Sequence, residues 1–334
     1  MSSNEQRIEA LKSWLAGELA GARFELAPAS SDAGFRRYFR VSFDGETRIV
    51  MDAPPDKEDC RPYLAVAELL RLAGVHVPAV FAADLARGFL LLSDLGPTTY
   101  LAALDDANAD ELFRDAIDAL LRWQLASRPG VLPPYDEMLL RRELSLFPEW
   151  YVERHLGISL SQPQADTLKR VLALIVERNL AEPAVFVHRD YMPRNLMVAA
   201  PNPGVLDFQD AVYGPISYDL ASLFKDAFVS WPETRVLDWV IRYWEKARRL
   251  GLPVNADFGE FYRDFEWMGL QRHLKVLGIF ARLNYRDGKA QYLGDTPRFV
   301  GYVREVAGRY SALTPLLRLL DEIENKQATV GYTF

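Results

Sequence analysis

The sequence has few of the features that mark secreted, membrane-bound or nucleic-acid-binding proteins. It contains one cysteine in 334 residues, so an intrachain disulfide cannot form. No apolar run reaches the length of about 20 residues that a membrane-spanning helix needs. The polar, acidic start lacks the apolar segment of a signal peptide. The formal net charge of −7 argues against nucleic acid or an anionic membrane as the main partner. We therefore expect a cytoplasmic protein without a membrane or nucleic-acid partner.

Length and composition indicate a globular protein of ordinary kind. Of the 334 residues, 49% are hydrophobic and 25% are charged. A chain of this length can bury a large core and is long enough for two lobes or domains.

The most informative segment begins at residue 184. The apolar run Ala184–Val187 predicts a short buried strand, which ends at His188. Asp190 follows on a loop, where a carboxylate could accept a proton from a bound hydroxyl group. Pro193 has no N–H group to donate, so it stiffens the loop and discourages a helix there. We therefore expect Asp190 to lie on a rigid and accessible loop.

A predicted hairpin follows this loop. Asn195 precedes the apolar run 196–198, the residues at 202–204 are typical of a turn, and the chain returns as a strand that ends at Asp207. The two ends of a hairpin lie side by side, which would bring Asn195 and Asp207 together. Amide, carboxylate and phosphate oxygens are suitable ligands for Mg²⁺. The hairpin therefore predicts a magnesium site held by these two residues.

The three polar residues have the spacing of a kinase catalytic loop. Asp190 and Asn195 are five residues apart, and an Asp-Phe pair follows at Asp207. The same order occurs in the H-R-D-x-x-x-x-N and D-F elements that transfer the γ-phosphoryl group of ATP. Either segment alone could be a polar loop between buried strands. Together they favour phosphoryl transfer, with Asp190 as the catalytic residue.

Three further residues are candidates for supporting the loop. His188 and Arg189 directly precede Asp190, and a structural role explains them at least as well as a chemical one. Asp219 begins an apolar helix soon after the hairpin. A buried carboxylate there could accept hydrogen bonds from the backbone N–H groups of the loop. The alternative is that Asp219 only caps its helix, and we favour the bracing role.

These motifs resemble those of the aminoglycoside phosphotransferase and choline kinase group. The resemblance rests on the order of His188-Arg189-Asp190, Asp207-Phe208-Gln209-Asp210-Ala211 and Tyr218-Asp219-Leu220-Ala221. It implies an α+β, protein-kinase-like fold of two lobes, with a small antiparallel sheet in the N-terminal lobe and a mostly helical C-terminal lobe. It also implies an enzyme that uses ATP and Mg²⁺ to phosphorylate a hydroxyl group.

A narrower resemblance concerns bacterial kinases that phosphorylate the anomeric hydroxyl of N-acetylmuramate and N-acetylglucosamine in peptidoglycan recycling. It rests on residues 188–191, on 206–215 and on the stretch Gln271-Arg272-His273-Leu274-Lys275-Val276-Leu277-Gly278-Ile279-Phe280. It implies an N-acetylated amino sugar as the acceptor and a sugar 1-phosphate as the product. An anomeric hydroxyl is more acidic than an ordinary alcohol, so a carboxylate base would suffice.

The order of predicted elements agrees with this fold. After an amphipathic helix, we predict three strands, a helix and two strands, and the rest of the chain is mostly helical. The helices of the second part are predicted near 107–127, 138–155, 164–180, 217–229, 234–250, 258–284 and 297–310. We place the N-terminal lobe at residues 1–93, the hinge at 94–97 and the C-terminal lobe at 98–334.

The nucleotide site is predicted from the two ends of the first lobe. A loop at Gly34 and Phe35 would face the phosphates with its backbone N–H groups, although protein kinases have more glycines there. In related folds the hinge backbone contacts adenine. Ser93, Asp94 and Leu95 are therefore predicted to contact the base.

The chain lacks the lysine that kinases carry on the third strand. Residues 48–53 have methionine or aspartate where the V-A-I-K motif has lysine. A cation is nevertheless expected there, because the charges of the α- and β-phosphates must be offset. The candidates are the nearby arginines Arg36, Arg37, Arg40 and Arg48. Of these we favour Arg37, and Glu68 on the next helix is the candidate partner.

The acceptor pocket is expected over the catalytic loop. The predicted substrate residues are Asp190, Tyr191, Arg194, Gln209, Asp210, Arg272 and Arg282. An arginine could bind the carboxylate of N-acetylmuramate through two parallel hydrogen bonds. Arginines on a long helix are, however, also common on an ordinary solvent-facing surface.

Two other functions remain consistent with the sequence. One is a phosphotransferase for a different hydroxyl acceptor, such as an aminoglycoside or an amino alcohol. The arginines near the predicted acceptor site count mildly against a polycationic acceptor. The other is a module that binds ATP without catalysis, against which the complete set of Asp190, Asn195 and Asp207 argues. Nothing in the sequence indicates an obligate protein partner.

Overall fold

The computed structural model describes the backbone of residues 3–30 and 35–331. Within these ranges it describes the side chains of residues 4–29 and 35–324. None of the helices in this part of the chain is both long enough and apolar enough to cross a membrane. Gly34, which is predicted to face the phosphates, lies outside the described residues.

The chain forms two compact units, each assembled from two segments. The first unit contains Met1–Trp123 and Arg194–Asp210, and the second contains Gln124–Pro193 and Ala211–Phe334. The catalytic-loop aspartate therefore belongs to the second unit, and the predicted metal-binding hairpin belongs to the first. The lobe and hinge boundaries, which were placed from the order of the predicted strands and helices, remain a prediction.

The first unit is built on a five-stranded antiparallel sheet with the strand order β1-β2-β3-β5-β4. The strands are β1 (Phe24–Ser30), β2 (Arg37–Phe43), β3 (Glu46–Asp52), β4 (Val80–Asp84) and β5 (Phe89–Ser93). Three strands precede α2 (Arg61–Leu72) and two follow it, as the sequence predicts. Asp44 and Gly45 join β2 to β3 with φ angles of 48° and 81°, values that an Asp-Gly pair tolerates.

Helix α1 (Ser3–Glu18) covers one face of this sheet. The shared core contains Leu11, Trp14 and Leu15 of α1 with Phe39, Val41, Val50 and Phe89 of the sheet. Phe39 is partly buried, and each of the other, buried side chains contributes roughly 1.5–3 kcal/mol. Because successive side chains of a strand point to opposite faces, the odd-numbered residues of β2 face α1. The even-numbered residues of β2 point to the other face.

The first unit also holds the predicted hairpin, formed by β7 (Leu196–Met197) and β8 (Gly204–Val205). Its strands are fixed by hydrogen bonds from Val205 N–H to the His76 carbonyl (2.8 Å) and from Val198 N–H to the Thr98 carbonyl (2.9 Å). A Cβ atom on Gly204 would lie 2.7 Å from the end of the Leu95 side chain, which would have to shift to admit it. Helix α3 (Tyr100–Ala103) and nearly all of α4 (Ala109–Leu125) belong to the first segment, which ends at Trp123.

The second unit is mostly helical and contains one small sheet. Its sheet pairs β6 (Ala184–Val187) with β9 (Val212–Pro215) in antiparallel fashion. Its helices are α5 (Glu137–Leu146), α6 (Gln162–Leu180), α7 (Tyr218–Phe224), α8 (Glu233–Arg249), α9 (Phe258–Asp287), α10 (Thr296–Arg309) and α11 (Thr314–Gly331). The predicted α+β class, with a five-stranded antiparallel sheet and a mostly helical remainder, is confirmed.

Helix α9 lies at the centre of the second unit. Every residue from Phe265 to Gly278 is buried, including the charged residues Glu266, Arg272 and Lys275. A helix that is buried all round lies in the core of its domain. Buried charges need partners, because an isolated charge in the interior is very unfavourable. The charged residues of α9 therefore mark places where other ionised groups must lie nearby.

The sequence misjudged a few helices. The predicted helix at 138–155 is an α-helix only to Leu146 and continues as a π-helical segment over Phe147–His155. Pro148 lies at this junction and has no N–H group for the regular hydrogen-bond ladder, which accounts for the change. The short α3 and the last helix, α11, were not predicted.

Candidate active site

The catalytic loop of the second unit begins where β6 ends. His188 is buried, and its backbone N–H donates to Asp219 Oδ2 at 2.7 Å. The backbone N–H of Arg189 donates to Asp219 Oδ1 at 2.9 Å. Asp219 is fully buried in the first turn of α7 and accepts both bonds. These are the bracing bonds that the sequence argument expected, and helix capping does not describe them.

The backbone of the loop is strained at the residue before Asp190. Arg189 has a φ angle of 77°, which is uncommon for a residue with a side chain. Asp190 N–H donates to His188 Nδ1 at 3.2 Å, so this ring nitrogen is an acceptor. The N–H of Met192 donates back to the Asp190 carbonyl at 2.9 Å. Backbone strain of this kind persists where the surroundings enforce it and is common at functional sites.

Burial shifts the protonation of the bracing carboxyl. Desolvation raises the pKa of Asp219 to about 7, although the N–H donors of His188 and Arg189 favour the ionised form. The negative charge of Asp190 raises this pKa further, and the positive charge of Arg272 lowers it. Asp219 therefore lies close enough to both groups for their charges to matter.

A buried charge network, which the sequence analysis missed, holds the side chain of Arg189. Glu143 on α5 lies 2.5 Å from Arg189 Nη2 and 3.0 Å from Lys275 Nζ on α9. The hydroxyl of Tyr135 also donates to Glu143, and Lys275 Nζ donates to the Tyr218 hydroxyl at 3.0 Å. The only available sequence signal was Lys275 between apolar residues of its helix, since Glu143 directly follows two arginines.

The charges of this network decide its protonation. Burial alone would raise the pKa of Glu143, but the positive charges of Lys275 and Arg189 hold it below the ordinary value. Burial would likewise lower the pKa of Lys275, yet the carboxylate of Glu143 raises it. The network thus contains one carboxylate and two cations, and it anchors the residue before Asp190.

The predicted metal-binding residues lie together in the first unit. Asn195 Nδ2 is 3.4 Å from Asp207 Oδ2, at the end of the β7–β8 hairpin. Gln209 Nε2 donates to Asp207 Oδ1 at 2.9 Å and so orients this carboxylate. Arg36 Nη1 lies 3.7 Å from the same Oδ1 atom. Asp207 has a φ angle of 61°, so it is a second residue with a strained backbone, after Arg189.

This donor set fits a magnesium ion. Mg²⁺ usually takes one or two carboxylate or amide oxygens from the protein and completes its shell with phosphate oxygens and water. Asn195 and Asp207 supply one amide and one carboxylate group next to each other. The adjacent Gln209 and Arg36 hold the carboxylate in place, as supporting residues around metal ligands commonly do.

The residues predicted to bind the nucleotide phosphates have different surroundings in the structure. Phe35 is 61% exposed and lies beside Lys57, with 6.0 Å between the ring centroid and Nζ. Arg37, favoured as the phosphate-binding cation, instead donates from Nε to Asp52 Oδ2 at 2.9 Å. The alternative Arg36 is the arginine beside Asp207.

The residues predicted to contact adenine are Ser93, the last residue of β5, and the two residues that follow it. Both the backbone N–H and the hydroxyl of Ser93 are bonded to Ala79, at 2.8 and 2.9 Å. The carboxylate of Asp94 accepts from Arg40 Nε at 2.6 Å and from Gly96 N–H at 3.0 Å. Hydrogen bonding to Arg40 lowers the pKa of Asp94. The side chains of the hinge thus have structural partners, and only its backbone remains a candidate for contacting adenine.

The predicted acceptor residues fall into separate groups. In the second unit, the buried ring of Tyr191 packs on His188 at 5.6 Å. Arg272 is buried and donates a long hydrogen bond, 3.5 Å, to the Lys225 carbonyl. Arg282 lies ten residues further along α9, which is about 15 Å along a helix. In the first unit, the partly buried Arg194 and Gln209 and the exposed Asp210 flank the hairpin.

Comparison with known proteins identifies the family. The chain belongs to the phosphotransferase enzyme family, whose members match it over residues 25–253. It is 53% identical to the N-acetylmuramate/N-acetylglucosamine kinase of Pseudomonas putida, over 97% of this chain and 98% of that protein. The protein of the same name from Pseudomonas aeruginosa is 54% identical over 95% and 97% of the two chains. The protein of the same name from Neisseria meningitidis is 51% identical over 98% of this chain and 100% of that protein.

Solved structures with a similar fold come from the group that the sequence motifs resemble. The choline kinase LicA of Streptococcus pneumoniae superimposes with a TM-score of 0.64 at 12% identity, over 89% of this chain and 99% of that one. The ADP-bound aminoglycoside phosphotransferase APH(2'')-Ib superimposes with a TM-score of 0.58 at 13% identity, over 92% of this chain and 99% of that one. The predicted protein-kinase-like fold is therefore confirmed. The family and the relatives of 51–54% identity confirm the predicted class of ATP-dependent phosphotransferase.

Proposed function

We propose that this enzyme transfers the γ-phosphoryl group of ATP to the anomeric hydroxyl of N-acetylmuramate and N-acetylglucosamine, giving the sugar 1-phosphates. The observation that carries the proposal is identity of 51–54%, over nearly the whole chain, to three enzymes named for these two sugars. The motifs around Asp190, Asp207 and Gln271 support the anomeric position through their resemblance to anomeric kinases. We expect it to act in the cytoplasm, where ATP is available.

Asp190 is proposed as the base. The sugar oxygen attacks the γ-phosphorus, the bond from that phosphorus to the β–γ bridging oxygen breaks, and the hydroxyl proton passes to the Asp190 carboxylate. Little covalent chemistry is asked of the protein in such a transfer, so positioning dominates. The contacts of Asp219 with the loop backbone and of Glu143 with Arg189 would provide that positioning.

Asn195 and Asp207 are proposed to hold Mg²⁺ with the ATP phosphates. Bound there, the ion would neutralise the charge on the phosphate oxygens. Gln209 would keep the Asp207 carboxylate oriented through its 2.9 Å hydrogen bond. We therefore assign Gln209 to the support of the metal site in preference to direct contact with the sugar.

Arg272 is the proposed contact for the acceptor in the second unit. It is buried, and its charge acts on both Asp219 and Asp226. N-acetylmuramate carries a carboxylate that a guanidinium group can bind through two hydrogen bonds. We therefore expect the substitution Arg272→Met to impair the use of N-acetylmuramate more than that of N-acetylglucosamine, which has no carboxylate.

Phosphorus NMR tests the proposed reaction. The purified protein is incubated with Mg-ATP and, separately, with N-acetylmuramate, N-acetylglucosamine, choline or kanamycin. We expect a new phosphate signal coupled to an anomeric proton with the two amino sugars alone. The methyl glycoside of N-acetylglucosamine is the matched control, because its anomeric oxygen is blocked and all its other hydroxyl groups are present. Product from the glycoside would refute anomeric transfer, and intact ATP with both sugars would refute the choice of acceptor.

The substitution Asp190→Asn separates catalysis from nucleotide binding. We expect the variant to bind ATP like the natural protein and to lose most turnover, because the amide cannot accept the proton. A non-catalytic ATP-binding module would show no turnover in either protein. Aminoglycosides and amino alcohols are not preferred as acceptors, since the similarity to the solved structures of aminoglycoside phosphotransferases and of choline and ethanolamine kinases is 10–16% identity and concerns the fold.

A further inference from the structure

The third strand of the sheet carries no cation where protein kinases have their lysine. The two residues at the end of β3 are Met51 and Asp52, which point to opposite faces. Asp52 is paired with Arg37 across the strands and faces α1, where Arg7 Nε donates to its Oδ1 at 2.6 Å. Met51 is fully buried on the other face, paired with Tyr38. The lysine position is therefore occupied by an apolar side chain.

Three of the four candidate arginines are held elsewhere in the first unit. Arg37 is bonded to Asp52 on the α1 face of the sheet. Arg40 donates to Asp94 at 2.6 Å and to the Gly96 carbonyl at 3.2 Å. Arg48 pairs with Glu46 at 2.9 Å and stacks on the ring of Phe81 at 3.9 Å.

Arg36 has a different environment. Its Nη2 atom lies 3.1 Å from Glu58 Oε2, and its Nη1 atom lies 3.7 Å from Asp207 Oδ1. The side chains of Arg36 and Glu58 are 18% and 20% exposed, so the pair is largely sheltered yet open to a ligand. Glu68, the predicted partner on α2, is exposed and pairs with Arg71 at 2.7 Å. The acidic partner is therefore Glu58, just before α2.

We infer that Arg36 is the cation that binds the phosphates of ATP and that Glu58 positions it, so that this pair replaces the strand lysine and helix glutamate of other kinases. A guanidinium group presents two parallel N–H donors, which match two phosphate oxygens. A phosphate oxygen would share with Asp207 the Mg²⁺ ion that this residue is proposed to hold. The Arg36 guanidinium, 3.7 Å from the Asp207 carboxylate, is within reach of such an oxygen.

The inference deepens the proposed function, because it rests on ATP as the phosphoryl donor and on Asp207 as a metal ligand. It makes no use of the identity of the acceptor. A test that measures nucleotide binding alone therefore separates it from the proposal about the sugar. ADP and adenosine are the suitable probes, since they share the base and ribose and differ in the phosphates.

The experiment compares the affinities for ADP and adenosine, by calorimetry in the presence of Mg²⁺, among Arg36→Ala, Arg36→Lys, Glu58→Gln and Arg48→Ala. We expect Arg36→Ala to weaken ADP binding about tenfold to a hundredfold, the range for a lost charged hydrogen bond, and to leave adenosine binding unchanged. Arg36→Lys should recover part of the affinity because it keeps the charge. Glu58→Gln should have a smaller effect in the same direction. Arg48→Ala is the matched control, an arginine of the same sheet with an acidic partner.

Two results would overturn the inference. One is an affinity of the Arg36→Ala variant for ADP that equals the affinity of the natural protein. The other is an equal loss of affinity for ADP and for adenosine, which would indicate a general disruption of the site. If the alanine variant does not fold by circular dichroism, Arg36→Lys and Glu58→Gln decide, since both keep the size of the side chain. ADP binding that depends on Arg36 in a protein that does not phosphorylate amino sugars would refute the proposed acceptor and support the role of Arg36.

Discussion

The carboxylate of Asp219 accepts one hydrogen bond from the backbone N–H of His188, at 2.7 Å, and another from that of Arg189, at 2.9 Å. A single buried side chain thus satisfies two consecutive donors of the catalytic loop. Because Arg189 has a positive φ angle of 77°, the loop needs such an external constraint to keep its shape. In the proposed mechanism, Asp219 would act on the reaction through the position that it gives to Asp190.

The first prediction concerns Asp219. The substitution Asp219→Asn replaces one acceptor by an amide NH₂, which faces a backbone donor and cannot bond with it. We expect kcat to fall about tenfold to a hundredfold, because small displacements of catalytic groups are costly. The free energy of unfolding should fall by about 1–3 kcal/mol for the unsatisfied N–H group. Steady-state kinetics and urea unfolding measure the two effects, and an unchanged kcat would contradict the bracing role.

The second prediction concerns the buried network of Glu143, Arg189 and Lys275. Glu143→Gln leaves two buried cations without a carboxylate, and we expect a loss of about 3–5 kcal/mol in the free energy of unfolding. Lys275→Met leaves one negative charge on Glu143 paired with one positive charge on Arg189, so the loss of unfolding free energy should be smaller in this variant. Urea unfolding of both variants measures this difference. A larger loss for Lys275→Met would mean that charge balance does not govern the network.

The third prediction concerns the metal site. Asp207→Asn should raise the Mg²⁺ concentration needed for half-maximal activity and lower kcat/KM by at least about a hundredfold, since changes to residues that merely support metal ligands already cost 10- to 100-fold. The matched control is Asp44→Asn, an exposed aspartate that also has a positive φ angle, 48°. Assays across a Mg²⁺ titration measure the effect. Equal Mg²⁺ dependence of the two variants would remove Asp207 from the site.

The fourth prediction is a dependence of stability on pH caused by Glu182. Burial raises the pKa of this carboxyl to about 8 from an ordinary value of 4.5, although Ser217 hydrogen bonds favour its ionised form. Between these two pH values the unfolded chain loses the proton while the folded chain keeps it. The free energy of unfolding should therefore fall as the pH rises, by up to about 1.4 kcal/mol per pH unit.

Unfolding measured between pH 5.5 and 8.5 checks this prediction against the variant Glu182→Gln, which cannot titrate at this position. Glu245→Gln, at an exposed glutamate of α8, is the matched control and should keep the natural slope. If the natural protein and Glu182→Gln have the same slope, the carboxyl is not protonated in the folded state.

The fifth prediction concerns two glycines of α9. A Cβ atom on Gly278 would lie 2.3 Å from the carbonyl oxygen of Leu146, so Gly278→Ala must move one helix away from the other. We expect a loss of about 1–3 kcal/mol or more. At Gly269 the nearest atom would be 3.5 Å away, an ordinary contact, so Gly269→Ala should be neutral or should stabilise by about 1 kcal/mol. Thermal unfolding compares them, and equal effects would contradict this difference.

Much of the catalytic region could be predicted because its signals are local. The strand Ala184–Val187 and the hairpin that brings Asn195 next to Asp207 follow from short apolar runs and a turn sequence. The bracing bonds of Asp219 followed from its place at the start of an apolar helix. The conversion to a π-helix after Leu146 was missed, because periodicity alone does not distinguish the two kinds of helix.

The choice among the four arginines could not be made from sequence. Arg36 and Arg37 are adjacent and have the same chemistry, but neighbouring side chains at a strand point to opposite faces of the sheet. Only the position of α1, with Arg7 beside Asp52, shows that Arg37 belongs to the α1 face. The same limit applies to Glu143 and Lys275, which are 132 residues apart in sequence and meet only in the folded protein.

The sequence by itself determined the class of fold and the hairpin, and it supplied the groups that are proposed to carry phosphoryl transfer, because these depend on residue type and on short spacings. The tertiary structure decided which arginine lies beside Asp207, which acid holds it and which buried charges anchor the catalytic loop. Those choices depend on the packing of helices and strands far apart in the chain. Local preferences do not encode such contacts, whereas the burial of charge requires them.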